Sequence, residues 1–222
     1  ERTRFSGRRT LGSDSVLSLL ETRSPSSGRT VWVGTTAGLA AQRGDRWTIY
    51  TPLDGLPGAT VNTLTPSTPV DGETPIWVGT GDGLGRVEKG RIRNVTEEVG
   101  LPDPRVNALL ETLAPDGGPV LWIGTERGLA RRQAGKTDIY TTREGLPADA
   151  VLSLIEVTDG GQRRLFVGTR GGAARVDLDA RNPSFTTFTT RTTPALPNNT
   201  VYQIRQDRER RQKLHSCTHK PP

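Results

Sequence analysis

Among 222 residues there is one cysteine, two histidines and no methionine. The lone Cys217 has no partner for an internal disulfide, so no disulfide framework holds this chain, and cysteine usage leaves cytoplasmic and periplasmic settings open. Both histidines, His215 and His219, stand beside that cysteine near the C-terminus. Histidine- or cysteine-based catalysis is therefore excluded from the rest of the chain. No apolar run approaches the roughly 18 residues of a membrane helix, and no direct membrane insertion is expected. Aromatics are scarce at 5% and hydrophobic residues low at 32%, yet Val, Leu and Trp recur evenly, which argues against wholesale disorder. The 26 glycines lack the three-residue period of collagen. With Glu1 first and no methionine, the chain is expected to be processed or cut from something longer, with any targeting signal outside it.

A formal charge of +6, from 30 basic and 24 acidic residues, raises the question of nucleic acid. The surplus is concentrated in the tail. Between 205 and 220, Arg205, Arg208, Arg210, Arg211, Lys213 and Lys220 stand against only Asp207 and Glu209. Elsewhere the charges interleave, so no nucleic-acid partner is expected.

Against these scarcities stands an internal repeat. Trp32, Trp77 and Trp122 lie 45 residues apart, and Phe166 follows after 44. Each opens one phrase: Trp32-Val-Gly-Thr35, Trp77-Val-Gly-Thr80, Trp122-Ile-Gly-Thr125 and Phe166-Val-Gly-Thr169. Gly-Leu follows at 38–39, 83–84 and 128–129, and becomes Gly172-Ala173 in the last copy. Gly-Leu-Pro recurs at 55–57, 100–102 and 145–147, then as Ala195-Leu196-Pro197. Val-x-x-Leu begins at Val16, Val61, Val106 and Val151, with Val201-Tyr-Gln-Ile204 as a fifth.

A period near 45 suits either helical pairs or four-stranded propeller blades. The stretch 14–23 reads as helical in isolation, but its counterparts carry Thr, Asn and Pro, poor helix residues. Elsewhere the repeat is β-branched or aromatic and is broken every 6–10 residues by Gly, Pro, Asp or Asn. The reading is an all-β β-propeller of four-stranded blades. Strands are expected at 16–22, 30–35, 38–43 and 46–51, with equivalents one period on. Repeats span about 11–55, 56–100, 101–145 and 146–195. The small third residues of the first strand (Ser18, Thr63, Ala108, Ser153) suit the crowded innermost position. Trp32, Trp77 and Trp122 are expected to be buried between blades, and the leucine of Gly-Leu-Pro to anchor the crossover.

The combined motif, clearest across 121–154, resembles the two-component regulator propeller repeat, and the likeness covers residues 1 to about 206. That resemblance implies the sensor region of bacterial hybrid histidine kinases and related regulators, in the periplasm or otherwise outside the cytoplasm. It implies a seven-bladed propeller, often paired with a second, followed by a β-sandwich and a membrane helix. It also implies sensing of small molecules, often saccharides.

Strand counting departs from that pattern. Residues 2–6 read as the outer strand of a preceding blade and 201–206 as the inner strand of a following one, around four full blades. Residues 207–222 read as a disordered basic tail. A fragment of a larger propeller, a truncated gene, a self-closing assembly of chains and an engineered chain all fit this count. Self-association through the blade faces is expected, because open blades leave apolar sheet faces and strand edges uncovered.

Several motifs read as ordinary structure. His215-Ser-Cys217-Thr-His219 lacks zinc-site spacing, and no metal or cofactor is expected. The glycine cluster 79–85 reads as a turn rather than a phosphate loop, and Asp177-Leu-Asp179 lacks the rest of a calcium loop. Ligand contacts are expected at a channel mouth, on the turn after the second strand and on the crossovers, where variable loops sit on a rigid scaffold. The candidates are Asp14, Asp82, Arg105, Arg127, Asp149 and Arg170, with Asn62 and Asn107 beside the inner-strand valine and facing the channel. Arg and Asp in such a place suit a small polar or saccharide-like ligand. The function expected is a non-enzymatic ligand-binding sensor module. The alternative is a protein-interaction or self-assembling scaffold without a ligand.

Overall fold

The computed structural model describes residues 11–25, 28–180, 183–193, 195–206 and 214–217. Four four-stranded antiparallel sheets follow one another along the chain, each hydrogen-bonded in chain order as in a propeller blade. The first holds β1 (Val16–Ser24), β2 (Gly28–Thr35), β3 (Gly38–Arg43) and β4 (Arg46–Tyr50). The second holds β5 (Val61–Pro66), β6 (Ile76–Thr80), β7 (Leu84–Glu88) and β8 (Arg91–Asn94). The third holds β9 (Val106–Leu113), β10 (Pro119–Thr125), β11 (Gly128–Gln133) and β12 (Lys136–Tyr140). The fourth holds β13 (Val151–Asp159), β14 (Gln162–Thr169), β15 (Gly172–Asp177) and β16 (Thr186–Phe188). A two-stranded sheet of β17 (Gln203–Gln206) and β18 (Leu214–Cys217) follows. Helix among the described residues is limited to α1 (Thr96–Val99) and two three-residue 3-10 turns. The expected strands of the first repeat match β1 to β4 within two residues at either end. The chain divides into two compact units, Glu1–Glu111 and Thr112–Pro222, the division falling within β9.

In the first unit, Trp32, Leu39, Leu56, Val61, Ile76 and Val78 form a core joining the first two blades. The glycine of the repeated phrase makes that contact close. A Cβ on Gly34 would stand 2.7 Å from Val61 Cγ1, and one on Gly79 would stand 2.6 Å from Thr63 Cγ2 and 2.5 Å from Val106 Cγ1. In the second unit a Cβ on Gly168 would come 3.0 Å from Val201 Cγ1. The glycine thus seats the next blade's first valine, beside the small third residue of its own inner strand. Val61, Val106 and Val201 are accordingly 0% exposed, as is Val151, whereas Val16 is 43% exposed and its neighbours Leu17 and Leu19 47% and 68%.

Trp32 and Trp122 are buried as expected. Trp77 is not: it is half-buried. The Arg86 guanidinium lies 5.0 Å over its ring, and its indole N–H reaches the Glu111 carboxylate at 2.8 Å, so charged groups border the ring on two sides. Leu56 and Leu146 are buried crossover anchors, while Leu101 is only half-buried.

The tail also differs from expectation. Leu214–Cys217 is a strand rather than disordered chain, with Gln203 opposite Cys217 and Ile204 opposite Ser216. Since Thr63 lies opposite Gly79 in the second blade, Cys217 takes the register position of the repeated glycine. Backbone N–H and C=O groups pair whatever the side chains are, and composition is blind to that. The strand expected at 2–6 lies outside the described residues, as do 207–213 and 218–222.

Candidate functional site

The turn between the second and third strands is built alike in every blade. Thr35, Thr80, Thr125 and Thr169 are wholly buried. Their hydroxyls donate to the carbonyls of Gly38, Gly83, Gly128 and Gly172 at 3.0, 2.9, 2.8 and 2.8 Å. The same oxygens accept the N–H groups of Ala37, Asp82, Arg127 and Gly171 at 3.1 to 3.2 Å. Those four glycines have φ between 142° and 149°, a conformation that side chains oppose. The hydroxyl of each buried threonine thus both donates and accepts, and so closes the turn.

In the first, second and fourth blades the turn leans on the crossover of its own blade. Thr36 N–H donates to Ser15 O at 3.2 Å, Gly81 N–H to Thr60 O at 3.0 Å and Arg170 N–H to Ala150 O at 3.1 Å. Turn and crossover therefore share one edge of the blade, as expected. The crossovers are pinned in turn: Glu144 accepts the N–H and hydroxyl of Thr141 at 2.7 and 2.8 Å. The hydroxyl bond, and then the backbone one, hold the Glu144 carboxyl below the ordinary carboxylate range.

The residues expected to bind ligand divide into two kinds. Asn62 is engaged within the fold: its amide donates to Val106 O at 2.9 Å and ties one inner strand to the next. Asp149 accepts the N–H of Thr142 at 2.8 Å and serves the crossover. Asn107 is half-buried on β9. Asp14, Asp82, Arg105, Arg127 and Arg170 are exposed on the loops. Asp82 packs on Gly58, where an added Cβ would stand 3.0 Å from its own. Asp103 accepts the backbone N–H of Arg105 at 2.9 Å and shapes that loop. In the second unit the turns of neighbouring blades meet, as Arg170 pairs with Glu126 at 3.1 Å beside Arg127.

Two features escaped sequence reasoning. Glu111 gathers the indole N–H of Trp77, the Ser67 hydroxyl at 2.9 Å, and the N–H and hydroxyl of Thr68, each at 2.6 Å. A glutamate at the same place in the inner strand (Glu21, Glu111, Glu156) was the available signal. The second is a row of arginines facing the repeated aromatic: Arg86, Arg131 and Arg175, with Ala41 in the first blade.

No family model and no curated protein matches the chain. Solved structures do. The extracellular domain of BT4673 from B. thetaiotaomicron, described as a one-component system, matches with TM-score 0.65 and 24% identity, over 93% of this chain and 26% of that one. A second structure of that domain, described as part of a hybrid two-component system, gives 0.64 and 24%, over 88% and 25%. BBS1N in complex with ARL6DN gives 0.56 and 14%, over 91% and 62%. The chain spans about a quarter of the BT4673 chains it matches. Identities this low bear on the fold: over nearly its whole length this chain is similar in architecture to the extracellular domain of BT4673.

Proposed function

We propose that this chain is a ligand-reading module of an extracytoplasmic bacterial sensor, and that it binds a small polar or saccharide-like ligand without turning it over. The likeness to an extracellular domain of a two-component system supports the setting. Among the described residues no helix is long and apolar enough to cross a membrane. One observation carries the ligand reading. The threonine-locked turns stand beside the crossovers and hold exposed Arg127, Arg170 and Asp82 on a rigid frame. Guanidinium and carboxylate groups so held are suited to bidentate hydrogen bonding with sugar hydroxyls or carboxylates. Calorimetric titration with a panel of neutral and acidic oligosaccharides tests this. Binding by one of them, weakened about tenfold in Arg127→Ala or Arg170→Ala, is the expected result. No heat with any panel member, or binding indifferent to both changes, overturns it.

The exposed β1 face favours a second reading, that of a docking scaffold. Val16, Leu17 and Leu19 are exposed, whereas the counterparts of Val16 at 61, 106 and 201 are each seated on a glycine of the blade before. The occupant we assign is a further blade of this repeat, whose second strand would cover these residues as the glycine strands cover Val61, Val106 and Val201.

A further inference from the structure

We propose that the outer part of the second blade binds an oxyanion, a carboxylate, sulfate or phosphate group of an anionic ligand, between Arg86, Arg91 and Arg93. The repeat itself supplies the comparison. The third-strand residue facing the aromatic is paired across to the fourth strand as Ala41 with Thr48, Arg131 with Asp138 and Arg175 with Thr186. In the third blade Arg131 and Asp138 form an ion pair at 3.7 Å. The second blade instead sets Arg86 directly opposite Arg93, an arginine where the third blade has its aspartate. Like charges directly opposed across an antiparallel pair destabilise it unless an anion lies between them.

The neighbouring carboxylates leave that need largely unmet. Glu88 forms an ion pair with Arg86 Nε at 3.8 Å, about as long as the third blade's, but beyond hydrogen-bond reach, and that buried nitrogen donates to no described group. Arg93 meets Glu98 at 3.3 Å and Lys89 meets Asp71 at 3.2 Å, but both are exposed pairs of the kind that contribute little. Arg91 faces Glu88 across the strands. Arg86 is held in place by its stack on Trp77, so its planar fork is oriented before any ligand arrives. These side chains and Ile92 line an open depression of about 660 Å³, large enough for a sugar or nucleotide unit. Four cations, Arg86, Lys89, Arg91 and Arg93, against the one carboxylate of Glu88 in this lining fit an acidic ligand rather than a neutral one.

Thermal unfolding and calorimetry on the whole chain test the site, with sodium sulfate, sodium phosphate, a uronic-acid oligosaccharide and a sulfated oligosaccharide as probes against chloride at equal ionic strength. At least one oxyanion is expected to raise Tm above its chloride control by mass action. Arg93→Asp, which copies the third blade's pairing, should keep or raise the chloride Tm and weaken binding about tenfold or more. Tighter binding of the oligosaccharides than of the inorganic ions assigns the group to an acidic glycan, and the reverse order assigns it to a small free anion. An oligosaccharide whose binding falls in Arg93→Asp occupies this site; one whose binding falls only in Arg127→Ala occupies the loop-edge site and counts against this one. Equal Tm in all salts, or binding undiminished in Arg93→Asp, overturns the proposal.

Discussion

A buried indole must find an acceptor for its N–H, and the blades show how that requirement travels with the repeat. Trp32 donates to the Thr22 hydroxyl at 2.9 Å and Trp122 to the Thr112 hydroxyl at 3.1 Å. In the fourth blade the aromatic is Phe166, which has no N–H, and the acceptor position holds Val157; both belong to one apolar core. The second blade keeps its indole but has Ser67 at the acceptor position, and Glu111 takes both groups. Phe166→Trp alone should therefore destabilise the chain, by the bulk it adds and by a donor left unmet. Adding Val157→Thr should recover roughly 1 kcal/mol relative to additivity. Urea unfolding of the two single variants and the double one gives the coupling, and strict additivity would show that the hydroxyl does not reach the ring.

At the scale of elements, strand identity follows from β-branched residues and turn glycines, whereas the crossovers depend on local polar closures. Glu144 caps its 3-10 turn through Thr141, and Asp54 does the same through Thr51 at 2.8 Å. The Glu144 carboxyl is held below its usual 4.5, so the unfolded chain binds the proton more readily. Its contribution to stability is then complete above pH 4.5 and is lost as the pH falls through the lower folded-state value. Glu144→Ala should thus be less stable than the parent near pH 6, with the gap closing toward pH 3. Chemical denaturation at a series of pH values measures this, and a gap that widens on acidification would contradict it. Ser18 and Ser153 show the other side of local chemistry, because their buried hydroxyls have no partner among the described residues while the repeat tolerates Ala108 in the same place. Size, not hydrogen bonding, selects that residue.

For the molecule as a whole, the consequential fact is the contrast between Val16 and the four valines that follow it. Val61, Val106 and Val201 are seated on a glycine of the blade before and Val151 is equally buried; Val16, Leu17 and Leu19 are exposed. Apolar surface left in water costs about 25 cal/mol per Å², so this face favours association. Sedimentation of the chain at increasing concentration should show self-association that Leu17→Gln with Leu19→Lys suppresses, without a fall in Tm, because both side chains are already solvated. A monomer at all concentrations, or variants that unfold, would mean the face is satisfied within the chain.

The blade pattern was legible in the sequence because it rests on near-neighbour chemistry repeated four times. The period, the strand limits, the positive-φ glycines and the buried Trp32 and Trp122 all follow from residues close along the chain. Trp77 did not follow the pattern, because its surroundings are set by Glu111, 34 residues away. Neither could periodicity foresee that Asn62 would be engaged by a backbone carbonyl 44 residues on, or that Leu214–Cys217 would complete a pair with β17. The same holds for the loop candidates: sequence variation singled out Arg127 and Arg170, but only the folded chain brings Glu126 against Arg170. Local propensity is encoded where it acts. Which polar group meets which acceptor, and which apolar face is left bare, depends on how strands distant in sequence are brought together, and that is decided only in tertiary structure.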